Sequence, residues 1–393
     1  MSSENNLPYI LWLPSWYPCK LTPYDGDFIQ RHAQAVSLYH PVHVLHIIRD
    51  KEGAVTKDIS VEERQDGNLK ETIIYYYCKP SFFKLADSFL SIRKYTRTYQ
   101  DFLAGHFAEY GLPALVHVHI AFKAGIIAKW IRKNRGVEYL ITEQWTVYLE
   151  EAKPNFSNLS FSARYLISKI MNDALLITPV SEYLAAAIQK KWPSAECEIV
   201  PNVVNTAIFY PEEKAASGKL KLIHISTLAY QKDPESLIEA AGILKRSGVD
   251  FSLDIFGPVN EQVQSLIAKE GVDDCINMKG EVPQNILAEY MMHADALVLY
   301  SRYETFGCVL IEANACGIPV IVPDTKLMHE IVENNVNGIL LHPASSSALA
   351  EALINFSKIK DSFSKQKIAA DAAAKYSYAR VGKMYSEIYS RYT

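Results

Sequence analysis

The sequence predicts an α/β protein of two doubly wound domains facing each other across a cleft. Short apolar runs alternate with longer stretches of helical period, as βαβ units around a parallel sheet require. The alternation runs through residues 9–200 and starts afresh near residue 221. Between the two sets lies Pro211-Glu-Glu-Lys-Ala-Ala-Ser-Gly-Lys219, small and polar without an apolar period, which is linker chemistry.

In the first set the expected strands are Tyr9–Leu13, Val42–Ile48, Thr72–Cys78, Leu115–His119, Tyr139–Thr142, Ala174–Pro179 and Glu198–Val200. Helical stretches such as Phe28–Tyr39, Ala124–Asn134 and Ser181–Lys191 separate them. In the second set Lys221–Ile225, Ser252–Phe256, Ile276–Met278, Ala296–Tyr300 and Pro319–Val322 read as strands. Pro234–Ser247, Asn260–Lys269, Gln284–Met292, Val309–Cys316 and Ser347–Ile359 read as their helices. The expected domains are residues 1–211 and 220–375, joined by a linker at 212–219. A last helical stretch, 376–393, either closes the second domain or crosses back onto the first. Open α/β sheets bind ligands beyond the carboxyl ends of their strands, so the cleft is the expected site.

At 393 residues, 49% hydrophobic and 21% charged, the chain is globular in composition and too long for one ordinary core. A net charge of −4 argues against nucleic acid as the main partner. Basic residues nevertheless gather at Lys123, Lys129, Arg132, Lys133 and Arg135, and again at Lys84, Arg93, Lys94 and Arg97. Each stretch reads either as a solvated helix face or as a docking surface for anionic lipid or an anionic acceptor. The opening residues show no export signal and no apolar run is long enough to span a membrane, so the expected compartment is the cytoplasm, at most the inner membrane face. Cysteines are scattered and read as reduced, mostly buried thiols.

The chemistry concentrates in Ser301-Arg-Tyr-Glu-Thr-Phe-Gly-Cys-Val-Leu-Ile-Glu-Ala-Asn-Ala-Cys-Gly-Ile-Pro-Val320. A buried strand ends in a polar turn, and a helix starts near Phe306-Gly307, where free N–H groups offer an anion site. Glu304 lies before that start and Glu312 on the helix; carboxylates accept well from vicinal hydroxyls of a ribose or hexose. Gly307 lets a ligand approach the backbone.

Glu304 and Glu312, with Phe306-Gly307 between them and Gly-x-Pro-Val after, closely resemble the E-x7-E segment of retaining glycosyltransferases of family four, which have the GT-B fold of two Rossmann-like domains. Trp12-Leu-Pro-Ser-Trp-Tyr-Pro18 followed by Asp25-Gly26-Asp27-Phe28 resembles the family's first loop, and Val116-His-Val-His119 its strand-end histidine. Pro179-Val-Ser-Glu182 and Val200-Pro-Asn-Val-Val-Asn205 resemble the pieces that finish the first domain. Ile225-Ser-Thr-Leu228 with Lys232, then Phe256-Gly257 and Gly280-Glu-Val282, resemble the donor-domain landmarks. The resemblance spans almost the whole chain.

It implies a hexose transferred with retention from a nucleotide-diphosphate sugar to a glycan or lipid-linked acceptor, with no cofactor and no metal. Glu312 would hold the donor ribose, and Glu304 the donor sugar. Phe306 and Gly307 would meet the sugar or diphosphate, and Lys232 would neutralise the departing diphosphate. Gly26 would bring the first loop to that diphosphate, His119 would sit near the reacting sugar, and Val282 would pack beside the base. Gly257 belongs to the same donor pocket. A departing diphosphate gains charge in the transition state, so a fixed lysine and helix N–H groups stabilise it selectively. Asp25-Gly-Asp27 imitates a D-x-D metal motif but sits in a Pro-rich loop before the first helix.

Two positions depart from the pattern. Thr227 stands where relatives offer an arginine, so one diphosphate cation is missing; Arg302 or Gln231 is the candidate substitute. Gln144, in Thr142-Glu-Gln-Trp-Thr146, stands where relatives often place a histidine. Other readings are a nucleotide-sugar epimerase, a phosphorylase (which needs a cofactor lysine and a longer chain), and a non-catalytic subunit assisting a partner transferase. The remaining histidines show no metal-ligand clustering and read as structural.

Overall fold

The computed structural model describes residues 8–80, 82, 84–213, 218–259, 261–342 and 345–393. Among these residues the strands form two sheets, one of seven strands and one of six. Residues 214–217 of the expected linker lie outside the described set, as does Asn260 at an expected helix start.

The first sheet holds β1 (Ile10–Pro14), β2 (Val42–Asp50), β3 (Ile59–Asp66), β4 (Leu69–Tyr77), β5 (Leu115–His119), β6 (Tyr139–Glu143) and β7 (Ile177–Pro179). Their order is β3-β4-β2-β1-β5-β6-β7, parallel except where β3 runs antiparallel to β4. Strand β3 was not expected from the sequence. Its burial pattern is almost wholly exposed, and an edge ribbon lacking an apolar face has no period to detect. The expected strand at Glu198–Val200 is instead coil: Cys197 makes a single bridge to Ile177, and Val200 N–H donates to Pro179 O at 3.1 Å. Around this sheet lie α1 (Asp27–Ser37), α2 (Lys84–Tyr110), α3 (Ala124–Arg135), α4 (Phe161–Asp173) and α5 (Glu182–Gln189).

The second sheet holds β8 (Leu220–Ile225), β9 (Phe251–Phe256), β10 (Ile276–Gly280), β11 (Ala296–Val298), β12 (Val320–Pro323) and β13 (Gly338–Leu341). All pairings are parallel in the order β10-β9-β8-β11-β12-β13. Its helices are α6 (Pro234–Arg246), α7 (Glu261–Glu270), α8 (Gln284–His293), α9 (Cys308–Ala315), α10 (Met328–Ile331) and α11 (Ser346–Ile359). Central strands such as β12 are buried along their whole length, as a sheet covered on both faces demands.

The C-terminal stretch is two helices, α12 (Lys365–Tyr376) and α13 (Tyr378–Tyr389). They part at Ser377, where Val204 N–H captures the carbonyl of Tyr376 at 2.9 Å and so ends the helical ladder. α12 packs on α9 of the second sheet, and α13 crosses to α1 and the first sheet. Val381, Tyr385, Ile388 and Tyr389 are buried there. The phenols are satisfied: Tyr389 Oη lies 2.6 Å from His117 Nδ1 and Tyr385 Oη 2.8 Å from Thr142 Oγ1. Gly382 is required at this crossing, because a Cβ would come 2.2 Å from the Ala35 carbonyl oxygen. The tail thereby couples the two sheets mechanically.

Candidate functional site

The carboxyl ends of both sheets open into one cleft of about 450 Å³, within the usual size of a small-molecule site. Backbone conformation is unusual at its edges. Ile120 and Lys123 after β5, and Leu228 and Asp233 after β8, hold positive φ without being glycine. Strained backbone of this kind persists where the surroundings over-determine it, as at ligand sites.

The second domain supplies most of the floor. Helix α9 starts after Gly307, whose φ of 85° places it in the left-handed region. Phe306, Gly307, Cys308 and Val309 line the cleft, so the start of α9 and the positive end of its dipole face it, with Leu310 N–H turned back to Gly307 O at 2.9 Å. Lys232 ends a short 3-10 turn, Tyr230–Lys232, and Asp233 then caps α6, accepting from Ser236 N–H at 3.3 Å. The Lys232 ammonium donates to Glu304, which also accepts from Ser301 Oγ at 2.8 Å and Gln231 Nε2 at 3.4 Å. Both members of this pair lie on the second domain.

Glu312 behaves differently. It is buried on α9, and Arg31 of α1, from the first domain, donates to it. Arg31 also donates to Asp27 Oδ2 at 3.2 Å, one helical turn back. Burial pushes the Glu312 carboxyl above the usual carboxylate range against the pull of Arg31. Burial disfavours the Arg31 charge, but the Asp27 and Glu312 carboxylates outweigh it, and the guanidinium stays ionised. Other contacts bridge the domains nearby. Ser181 Oγ donates to Thr305 O at 2.7 Å, Thr305 Oγ1 to Gln144 O at 2.9 Å, and Gln284 Nε2 to Asp27 Oδ2 at 3.1 Å.

Of the residues singled out in the sequence, the structure gathers Lys232, Glu304, Glu312, Phe306, Gly307, Thr227, Gly257 and Val282 on the cleft wall, with Gln144 opposite. Ser226-Thr227-Leu228 is a tight turn: Ser226 Oγ accepts from Leu228 N–H at 3.0 Å and lies 2.8 Å from His224 Nε2. Gly257 permits this turn, since a Cβ there would meet the Ser226 carbonyl oxygen at 2.0 Å. Gly26 lies one position behind the wall, as the left-handed N-cap of α1. A Cβ there would strike the Trp16 carbonyl at 2.5 Å.

Two residues lie elsewhere. Arg302 is not on the cleft wall. It donates to Asp233 Oδ1 at 2.7 Å and to Tyr230 O, with its guanidinium 4.3 Å above the Tyr230 ring. Its charge is thus committed to the cap of α6, which corrects the expectation that it replaces the missing cation; Gln231 is likewise spent on Tyr303 O and Glu304. His119 is fully buried behind the wall, 4.0 Å from the Trp12 ring and 4.1 Å from His117. Burial, with His117 and His32 nearby, drives its pKa well below the ordinary histidine value, so it is neutral. The residue that sequence reasoning missed is Arg31. Only its place on α1, one turn after Gly26, pointed toward the cleft, and helix period alone does not say what a helix faces.

Residues 208–375 match the family model of glycosyl transferases group 1. The amylovoran biosynthesis glycosyltransferase AmsK of Erwinia amylovora is 26% identical over 360 residues, 85% of this chain and 82% of that protein. An alpha-D-kanosaminyltransferase of Streptomyces kanamyceticus is 27% identical over 174 residues, 43% of this chain and 45% of its own length. In fold, the chain is similar to sucrose-phosphate synthase from Thermosynechococcus elongatus, with a TM-score of 0.78, 16% identity, and coverage of 98% of this chain and 99% of the other. It is similar also to HepE of Anabaena, solved in complex with UDP and glucose, with a TM-score of 0.71, 14% identity, and coverage of 98% and 100%. Residues 208–375 are thus similar to group 1 glycosyl transferases, and the two-sheet architecture of the chain is the GT-B fold that these solved structures share.

Proposed function

We propose that the chain transfers a hexose, with retention, from a nucleotide-diphosphate sugar to a glycan or lipid-linked acceptor in surface polysaccharide assembly. The observation that carries this reading is one wall on which Lys232, Glu304, the start of α9 and Glu312 converge. Glu312 accepts from the donor ribose and Glu304 from the donor sugar, while Phe306 and Gly307 adjoin the diphosphate. As the bond from the anomeric carbon to the diphosphate breaks, Lys232 and the α9 N–H groups stabilise the charge that develops on the leaving oxygen. The acceptor oxygen forms the new bond to that carbon, and its proton passes to the leaving phosphate. No cofactor or metal takes part in this scheme. Val282 packs beside the base, and the acceptor enters over Trp16, Phe28 and Trp145 of the first domain. AmsK, named for amylovoran biosynthesis, supports the polysaccharide assignment.

For an anionic membrane the favoured surface is α2. Phe89, Leu90 and Ile92 are exposed there beside Arg93 and Arg97; Arg97 has a carboxylate neighbour, Asp101, at 3.7 Å, with both side chains exposed. The stretch after Lys123 is less suited, because Lys129 is held by Asp173 and Arg132 by Glu138 at 2.7 Å. Among the described residues no helix is long and apolar enough to cross a membrane.

The test is a thermal-shift panel of UDP, GDP, ADP, CMP and their common sugar conjugates. A ligand at 100 times its Kd stabilises the fold by about 2.7 kcal/mol. A shift with one diphosphate, followed by product formation with an acceptor extract, bears the proposal out. Turnover of the donor without an acceptor marks an epimerase or hydrolase, and no shift with any of them marks a non-catalytic subunit.

A further inference from the structure

The cleft has a deficit of positive charge. Among its described lining residues the cations are Lys232 and Arg31, and each is engaged by a glutamate. The turn at Thr227 offers hydroxyls where a charge is expected, and Arg302 is tied away from the cleft. A nucleoside diphosphate bound here brings at least two negative charges that one lysine does not balance.

Arg31 is placed to supply the balance. Its side chain is 6% exposed, its Nη atoms reach Glu312 and Asp27, and its Nε is buried with no hydrogen-bond partner. A guanidinium has five N–H donors in a fixed fork, well matched to phosphate oxygens. A buried donor left unpaired is costly, and it is satisfied once an acceptor enters.

From this arrangement we infer that Arg31 is the first domain's contribution to diphosphate binding, and that Glu312 holds it in reserve until a donor arrives. The inference rests on the donor reading given above. When ribose hydroxyls donate to Glu312, that carboxylate no longer needs the guanidinium as partner. Arg31 then turns its fork to the diphosphate, keeping Asp27 as its anchor at the i−4 position. One exchange of partners keeps the buried carboxylate and the buried cation compensated in both states, and it offers the unpaired Arg31 Nε an acceptor only when the diphosphate is present. Because Arg31 sits on α1 and Glu312 on α9, the exchange also makes the diphosphate a bridge between the domains, in place of the direct ion pair.

The experiment is calorimetric titration of UDP and uridine, or of whichever nucleoside diphosphate the panel finds with its nucleoside, into wild type, Arg31→Gln and Arg31→Lys. Arg31→Gln should weaken UDP about 10- to 100-fold, the worth of hydrogen bonds to a charged group. Uridine should bind unchanged or tighter, because Glu312 is released to the ribose. Arg31→Lys should recover part of the UDP loss. Equal effects on UDP and uridine, or none, reduce Arg31 to a structural latch and overturn the inference while leaving the donor reading intact. A wild type that binds no nucleoside diphosphate overturns both. If Arg31→Gln does not fold, Glu312→Gln answers the question: both ligands weaken together and the preference for UDP over uridine persists. A preference that collapses in Glu312→Gln overturns the inference.

Discussion

The two glutamates of the Glu304–Glu312 segment lie eight positions apart yet are held in opposite ways. Glu304 finds Lys232, Ser301 and Gln231 within its own domain. Glu312 finds its cation on the other domain. The first arrangement is fixed by the folding of one sheet, so it is preorganised for chemistry. The second exists only while the domains keep their present relation. The lesson is that one sequence motif supplies both an ion pair held within one domain and an ion pair that spans the two.

The largest expected effect comes from breaking the pair held within one domain. Lys232→Ala should lower kcat about 10²- to 10³-fold, by analogy with the loss of one oxyanion-hole donor. It should change nucleotide affinity much less. Steady-state kinetics with the identified donor checks this, and wild-type turnover removes Lys232 from the reaction.

Glu312→Ala should act the other way, weakening nucleotide binding about 10-fold or more as ribose hydrogen bonds to a charged acceptor are lost. Glu304→Ala should leave the nucleoside's affinity unchanged. Titration of both variants with nucleoside and nucleoside diphosphate sharpens the contrast; an identical loss in the two erases it.

Gly26→Ala tests whether the first domain's wall is as rigid as the second's. Left-handed backbone costs an alanine about 1–2 kcal/mol, and the new Cβ also meets the Trp16 carbonyl. The melting temperature should fall by several degrees. An unchanged melt indicates that the loop relaxes freely.

Acidification probes both domains at once. Burial lowers the pKa of His32 to about 3, and of His46 and His224 to about 4. Their folded values lie below the unfolded value near 6.5, so the stability they contribute is present above about pH 6.5 and lost as pH falls toward 4. Each neutral histidine then costs up to about 1.4 kcal/mol per pH unit. Glu143 runs against this. Burial raises it to about 7, so its contribution is present below the ordinary carboxylate range and lost as pH rises to about 7. Three histidines outweigh one glutamate, and the melting temperature should drop between pH 6.5 and 4.5. A flat profile there contradicts the neutral buried histidines.

The smallest effect concerns the membrane. Arg93→Glu with Arg97→Glu should reduce cosedimentation with anionic vesicles, at about 1 kcal/mol for each basic residue lost, and salt should do the same. Binding that ignores both changes removes α2 as the docking face.

By itself the sequence determined the two sheets, the order of their central strands along the chain, and many of the residues that line the cleft. Those strands are buried on both faces and the motif residues are local to strand ends, so apolar runs and short spacings reveal them. Edge strands β3 and β13 and the break between α12 and α13 escaped: β3 is exposed, β13 is only four residues long, and the break is set by Val204. Only the tertiary structure decided which cation serves which carboxylate. Arg302, two residues from Glu304, turns away to cap α6, while Arg31, 281 positions before Glu312, closes on it. Partnership between charges depends on distance through space and on burial, and sequence separation measures neither.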